Sequence, residues 1–171
     1  VEADAGIAAW DAVLADTGLS GSYTTLGTYG DDELLALVGA IAARRGMSVD
    51  DTVRWFGRAA LPVLVERYPA FSAGHTSARS FVLTLNHVIH PEVRKLYPGA
   101  DVPDFVALDR PDGGLALEYR SPRALCTLAE GLILGAGDHF GEAISLSQSR
   151  CLHRGDEACV LELAFTAPTS A

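Results

Sequence analysis

Apolar residues recur at helical spacing through the first two thirds of the chain. Between Asp31 and Arg45, Leu34, Val38 and Ile41 form one apolar stripe. Acidic residues open this segment, two arginines close it, and Gly46 follows directly. The pattern predicts an amphipathic helix over residues 31–45.

Two further helices are predicted, and a proline affects each of them. Ser48 and Asp51 have the spacing of a capping box, so a helix should begin there and be kinked or divided at Pro62. Another helix should run from residue 77 or 78 towards His90. Because Pro91 disfavours helical geometry in the residue before it, this helix should be kinked or restarted at His90.

Strand patterns replace the helical pattern after Phe105. Residues 106–108 and 115–121 flank an Asp-Arg-Pro-Asp-Gly-Gly turn and predict a hairpin. A helix is predicted from about residue 124 to 140, followed by a second hairpin of residues 143–152 and 159–165. The fold class is therefore α+β, with a helical N-terminal part followed by a C-terminal antiparallel sheet.

Composition narrows the class of protein. A chain of 171 residues with 49% hydrophobic content suits one core, so we expect a single domain over residues 1–166 and a flexible tail over 167–171. A formal charge of −9 without a basic block argues against binding to nucleic acid or to anionic membranes. No apolar run approaches the length of a membrane span and no signal peptide is recognisable, which predicts a cytoplasmic protein.

Two segments carry the candidate chemistry. His90 can coordinate a metal as a neutral imidazole, although an isolated histidine is more often structural. His87 lies one helical turn earlier and is the alternative ligand. Tyr119, Ser121 and Arg123 alternate along a predicted strand, so a phenol, a hydroxyl and a guanidinium should share one face. Such a row suits a pair of carboxylates, which heme presents as its propionates.

The spacing of these residues resembles the heme nitric oxide/oxygen binding (H-NOX) family, which is related to the heme domain of soluble guanylate cyclase. In that family the proximal histidine lies seven residues before a Tyr-Pro-Gly, and a Pro-x-Phe and a Tyr-x-Ser-x-Arg follow. The matching segments here are His90, Tyr97–Gly99, Pro103–Phe105 and residues 119–123. Weaker similarity extends over nearly the whole chain, including Tyr23–Tyr29 and Arg67–Phe71.

The resemblance implies a sensor that binds heme b. His90 would hold the iron, Pro103 would press against the porphyrin, and Tyr119, Ser121 and Arg123 would bind the propionates. It also implies a further stretch of helix before Val1, so the N-terminal helix is expected to be incomplete. Movement of the helix bearing His90 would signal to a protein such as a histidine kinase, a cyclic-dinucleotide enzyme or a chemotaxis protein.

The expected gas ligand follows from two apolar residues. Oxygen-binding members of the family have a tyrosine five residues after the motif arginine, and an asparagine that supports it. Leu128 and Ala60 stand at these places, which resembles the nitric-oxide-selective branch and predicts binding of nitric oxide and carbon monoxide. Read without the resemblance, both residues are ordinary core positions.

Cys126, Cys151 and Cys159 form a second candidate site. Some bacterial H-NOX domains bind zinc through three cysteines at this spacing and a histidine, whose place is taken here by Gln148. His153 on the nearby turn is a substitute fourth ligand. Zinc, a reversible Cys151–Cys159 disulfide and inert thiols are equally weighted alternatives.

No nucleophile and base stand in an arrangement typical of catalysis, and no phosphate-binding loop is present, so the chain is predicted not to be an enzyme. The leading hypothesis is a heme-based sensor of nitric oxide. The alternative is a thiol or zinc redox sensor built on the same scaffold.

Overall fold

The computed structural model describes residues 2–24 and 27–166, and the chain divides after Val53 into two compact units. The expected tail, 167–171, lies outside the described residues, as do Thr25 and Leu26 of the segment Tyr23–Tyr29 that resembles the family. A single domain over 1–166 stays a prediction. None of the helices in the described ranges has both the length and the apolar character that a membrane span requires.

The described elements confirm the α+β class. The helices are α1 (Glu2–Ala5), α2 (Ile7–Thr17), α3 (Asp31–Arg45), α4 (Val49–Arg67), α5 (Ala78–Val82), α6 (His90–Leu96) and α7 (Cys126–Phe140). The strands are β1 (Asp104–Asp109), β2 (Leu115–Arg120), β3 (Ala143–Arg150) and β4 (Cys159–Thr166). Short 3₁₀ turns occupy Pro69–Phe71 and Leu152–Arg154, and a π-helical turn occupies Leu85–Ile89.

In the first unit, α2 and α3 pack together. Arg44, near the end of α3, forms an ion pair with Asp16 at 2.5 Å and donates a hydrogen bond to the Ala12 carbonyl at 3.1 Å. The predicted bounds of α3 are confirmed, and Gly46 ends this helix with a φ of 64°. A glycine suits that position because left-handed geometry costs a side chain free energy.

In the second unit, the four strands form an antiparallel sheet in the order β1-β2-β4-β3. Both predicted hairpins are therefore confirmed. On the inner face, Leu115 pairs with Leu163, Leu117 with Leu161 and Tyr119 with Cys159, and all six side chains are buried. α7 packs on the sheet and completes the core.

α4 and α7 approach closely at glycines. A Cβ on Gly131 would lie 2.2 Å from the Arg54 carbonyl oxygen, and one on Gly57 would lie 2.6 Å from the Leu128 carbonyl oxygen. The buried Glu130 carboxylate accepts from Arg54 at 2.8 Å at the same contact. Only glycine allows the two backbones this separation.

Ser48 caps α4 as predicted: its hydroxyl accepts from the Asp51 backbone N–H at 3.0 Å and donates to the Asp51 carboxylate at 2.7 Å. The expectation that Pro62 could divide α4 is wrong, because the helix continues through it to Arg67. Leu61 and Val65, on either side of the proline, pack in one apolar cluster. These contacts offset the backbone hydrogen bond that the proline removes.

An α-helix starts at His90, as predicted, but the expectation that Pro91 would disfavour helical geometry in His90 is wrong. α5 ends at Val82, the π-helical turn follows, and α6 starts at His90, which has φ −65° and ψ −38°. π-Helical turns are uncommon and occur frequently at functional sites. The irregular backbone sets the direction of the residue that follows it.

Replacing Gly131 with Ala should destabilise the protein by about 1–3 kcal/mol, because the new methyl group would overlap the backbone of α4. Gly39→Ala is the matched control, since Gly39 lies within α3 and nothing would contact its Cβ. That change should raise stability by about 0.5–1 kcal/mol through helix propensity. Urea unfolding followed by circular dichroism measures both; equal effects of the two changes would contradict the close-contact interpretation.

Candidate functional site

The second unit encloses a cavity of about 490 Å³. Its lining comes from α4 to α7, β1, β2 and the loops between them, and is mostly aliphatic and aromatic. The polar lining residues are Tyr68, His90, Tyr97, Asp101, Tyr119, Ser121 and Arg123. An apolar cavity with a few converging polar groups is the usual form of a cofactor or ligand site.

The imidazole of His90 lines this cavity and is half-buried. Its Nδ1 is buried and has no hydrogen-bond partner among the described residues. Burial is the main cause that lowers the pKa of His90, with Arg94 adding to it and the Pro103 carbonyl and Asp104 opposing it. The ring is therefore held neutral and available to a metal, whereas a structural histidine would normally have its buried nitrogen satisfied.

The alternative ligand, His87, is exposed and is not among the lining residues. It lies within the π-helical turn, three residues before His90. Of the two histidines, the structure brings only His90 to the cavity.

Asn86 ties the π-helical turn to the start of β1. Its side-chain oxygen accepts from the Phe105 backbone N–H at 3.1 Å, and its amide nitrogen donates to the Phe105 carbonyl. The Phe105 ring stacks on the His90 ring with centroids 5.8 Å apart and meets the Tyr119 ring edge-on at 5.5 Å. One amide therefore sets the imidazole relative to β1 and β2. Pro103, just before β1, also lines the cavity.

Tyr119, Ser121 and Arg123 all line the cavity, but not by the predicted route. β2 ends at Arg120, and the Ser121 hydroxyl accepts from the Arg123 backbone N–H at 3.2 Å, so the chain turns instead of staying extended. The prediction of one strand face is wrong for this reason. Burial raises the pKa of Tyr119, while hydrogen bonds to Ser121 and the Leu125 backbone oppose the rise, so the phenol stays protonated and can donate.

The part of the cavity formed by α4 and α7 contains only apolar side chains. They are Leu61, Leu64, Val65, Leu128, Ala129, Leu132, Ile133 and Ala136. Leu128, which the sequence predicted to contribute to an apolar pocket, is one of these lining residues. Ala60 is half-buried and does not line the cavity; Leu61 does. Successive helical residues point about 100° apart, so neighbours face different directions.

Asn86 and one hydrogen bond between tyrosines were missed by sequence reasoning. The hydroxyls of Tyr68 and Tyr97 lie 2.9 Å apart and join the end of α4 to the end of α6 beside the cavity. The sequence gives no signal that pairs either tyrosine or Asn86 with its distant partner.

The three cysteines also come together. Their sulfurs lie within 4.8 Å of one another, with 3.9 Å between Cys126 and Cys151 and 4.0 Å between Cys151 and Cys159. All three are buried free thiols. The suggested fourth ligand, His153, is not brought to them: its Nε2 lies 2.7 Å from the Ala124 carbonyl oxygen on an exposed turn. That hydrogen bond turns the imidazole to α7's N-terminal loop instead.

The residues around the cavity fit heme. A heme needs an apolar enclosure, a neutral axial ligand and partners for two carboxylates, and the cavity combines apolar helices, the His90 imidazole with its unpartnered Nδ1, and the Tyr119, Ser121 and Arg123 donors. The fold and cavity therefore define the class of domains that hold a planar cofactor between helices and an antiparallel sheet.

The model of the Haem-NO-binding family matches residues 1–148. This chain belongs to that family, whose H-NOX domains are heme-based gas sensors rather than catalysts. No curated protein sequence matches the chain significantly.

Solved H-NOX structures resemble the whole chain. The H-NOX protein from S. oneidensis in the Fe(II)NO ligation state is 32% identical, with a TM-score of 0.89 and coverage of 97% of this chain and 93% of that one. The unliganded Fe(II) H-NOX protein from K. algicida is 26% identical, with a TM-score of 0.83 and coverage of 100% and 93%. The IWP-051-bound H-NOX from Shewanella woodyi, in the Fe(II)CO state, is 28% identical, with a TM-score of 0.81 and coverage of 99% and 90%.

Replacing Asn86 with Ala should destabilise the protein by about 1–3 kcal/mol, because the Phe105 backbone N–H and carbonyl would both lose a partner. His87→Ala changes an exposed residue of the same turn and should stay within about 0.5 kcal/mol of the unmodified protein. Chemical denaturation at matched heme content measures both. A similar stability for the two variants would show that the Asn86 bridge contributes little.

Proposed function

We propose that this protein senses nitric oxide through a heme held by His90. The observation that carries the proposal is the buried, unpartnered Nδ1 of an imidazole kept neutral at the wall of an apolar cavity. The family implies heme-based gas sensing; the axial ligand, the choice of gas and the output are the proposed details.

Each lining group has a role in holding the cofactor. His90 would hold the heme iron, and Tyr119, Ser121 and Arg123 would bind the propionates, with Arg123 contributing the charge-assisted contact. Pro103, which also lines the cavity, would contact the porphyrin. When bound, heme supplies an iron centre with a position open to a diatomic gas.

The choice of gas follows from the α4 and α7 wall. Leu128, Leu132 and Leu61 offer no hydrogen bond there, and bound dioxygen, which carries partial negative charge, needs such a donor far more than nitric oxide or carbon monoxide does. This supports nitric oxide as the signal and carbon monoxide as a second ligand, and related H-NOX proteins have been solved in Fe(II)NO and Fe(II)CO states.

The output follows from the position of His90 at the first residue of α6. A change in the force on its imidazole acts directly on that helix, and α6 is restrained at its other end by the Tyr68–Tyr97 hydrogen bond. Two positions of α6 would present different surfaces to a partner. Such a partner is a signalling protein, for example a histidine kinase or a cyclic-dinucleotide enzyme, and a cytoplasmic location is part of this proposal.

A thiol redox sensor is the second candidate function. The Cys151 and Cys159 sulfurs are 4.0 Å apart in neighbouring segments, so a local shift of about 2 Å would bring them to disulfide distance. Burial, however, raises the pKa of Cys126 and raises that of Cys159 to about 12, so little thiolate is present at neutral pH. Slow oxidation is expected because the thiolate is the reactive form.

His90→Ala should abolish heme retention or leave a cavity that free imidazole can refill, because the axial bond anchors the cofactor. His87→Ala is the matched control and should keep the full heme content, since His87 is exposed and outside the cavity. The Soret absorbance per chain, before and after gel filtration, measures retention.

If His87→Ala lost heme and His90→Ala retained it, the assignment of His90 as the ligand would be overturned. A folded, unmodified protein that takes up no heme at all would overturn heme sensing and leave the thiol sensor as the better candidate.

Leu128→Tyr should introduce measurable oxygen affinity, because the phenol would add a hydrogen-bond donor to an apolar wall. The unmodified ferrous protein should bind nitric oxide and carbon monoxide and retain no dioxygen in air. Leu128→Phe is the control, since it adds the ring without the hydroxyl. Stopped-flow mixing with oxygen measures this; retention of oxygen by the unmodified protein would contradict nitric oxide selectivity.

A further inference from the structure

The cysteine cluster is a separate site that heme binding does not use. Cys126 is the first residue of α7, Cys151 directly follows β3, and Cys159 begins β4. Their exposed fractions are 1%, 5% and 0%, and none of them lines the heme cavity. The Cys151 sulfur lies 3.9 Å from the Cys126 sulfur and 4.0 Å from the Cys159 sulfur, so the three sulfurs surround one point in the protein interior.

The cluster has no fourth ligand of the kind that zinc prefers. Among residues 2–24 and 27–166, no histidine, aspartate or glutamate joins the three sulfurs. His153 contacts the Ala124 carbonyl instead. The Gln148 amide lies beside the Cys126 sulfur, and its buried nitrogen has no aligned hydrogen-bond partner in the described chain.

Metal chemistry decides what such a site can bind. Structural zinc is almost always tetrahedral with four cysteine, histidine or carboxylate ligands, and a neutral amide is a weak substitute. Soft thiolates also select Cu(I), which is stable with three ligands. A cation in the plane of three sulfurs, with bonds of about 2.3 Å, requires sulfur separations of about 4 Å. Two of the separations in the cluster are 3.9 and 4.0 Å, and the third is within 4.8 Å.

We propose that Cys126, Cys151 and Cys159 form a three-sulfur site that takes Cu(I) in preference to Zn(II). Each thiol that binds loses its proton to solvent, and the bound ion is held by three sulfurs without a nitrogen ligand. Gln148, whose amide lies beside the Cys126 sulfur and is a weak zinc ligand, is the residue that determines this preference.

One hydrogen-bond donor is in place for the negative sulfurs that binding creates. The Leu152 backbone N–H donates to the Cys159 sulfur at 3.3 Å. This donor reduces the cost of burying thiolate charge, and a cation that binds sulfur tightly is needed to displace the protons.

The test is a competition between metals in the full heme-loaded chain under anaerobic, reducing conditions. Cu(I) and Zn(II) are each titrated against a chromophoric chelator, and X-ray absorption identifies the atoms around the bound copper. One Cu(I) per chain with three sulfur neighbours is expected, and zinc should be lost to the chelator. Cys159→Ser should weaken Cu(I) binding at least tenfold.

Gln148→His is the decisive variant, because it restores a fourth ligand without disturbing the sulfurs. Zinc affinity should rise at least tenfold in this variant. His153→Ala is the control and should leave the affinities for both Cu(I) and Zn(II) unchanged. Zinc retained by the unmodified chain as tightly as by Gln148→His would overturn the proposal, as would the absence of a Cu(I) site that depends on Cys159. Copper binding is read independently of the Soret band, so failure of the heme assignment would not be mistaken for failure of this one.

Discussion

The geometry of the heme site depends on the two hydrogen bonds between the Asn86 side chain and the Phe105 backbone. They fix the π-helical turn to the start of β1, so His90 leaves the turn at a set position relative to the sheet. The Phe105 ring then contacts both the His90 ring and the Tyr119 ring. Because an axial ligand must meet a planar cofactor at one place and direction, this local restraint positions both the proposed ligand, His90, and the side of the cavity proposed to bind the propionates.

α7 connects the two candidate sites. Its first residue is Cys126 of the sulfur cluster, and further along it Leu128 and Leu132 form part of the heme cavity. Tyr119 of the cavity pairs in register with Cys159 of the cluster. Close contact between α4 and α7 at glycines leaves little room for either helix to shift alone. A change of state at one site therefore acts on elements that also form the other.

Local signals were sufficient to predict most of the elements. The bounds of α3, the restart of the chain at His90 and both hairpins follow from side-chain periodicity, capping residues and prolines, which act within a few residues of one another. The spacing of His90 to Tyr97–Gly99 also identified the family that the whole chain was then shown to match. These features depend on chain neighbours, so the linear order of residues determines them.

Contacts between distant parts of the chain decided the rest. The partner of Asn86 is 19 residues away, the Ala124 carbonyl that turns His153 from the cysteines is 29 residues away, and neither distance leaves a pattern in the sequence. Packing on both sides of Pro62 kept α4 undivided where propensity alone predicted a kink or a break. The sequence by itself determined the elements, the family and the candidate ligands, whereas only the tertiary structure decided which side chains meet, because that depends on packing energies summed over residues far apart in the chain.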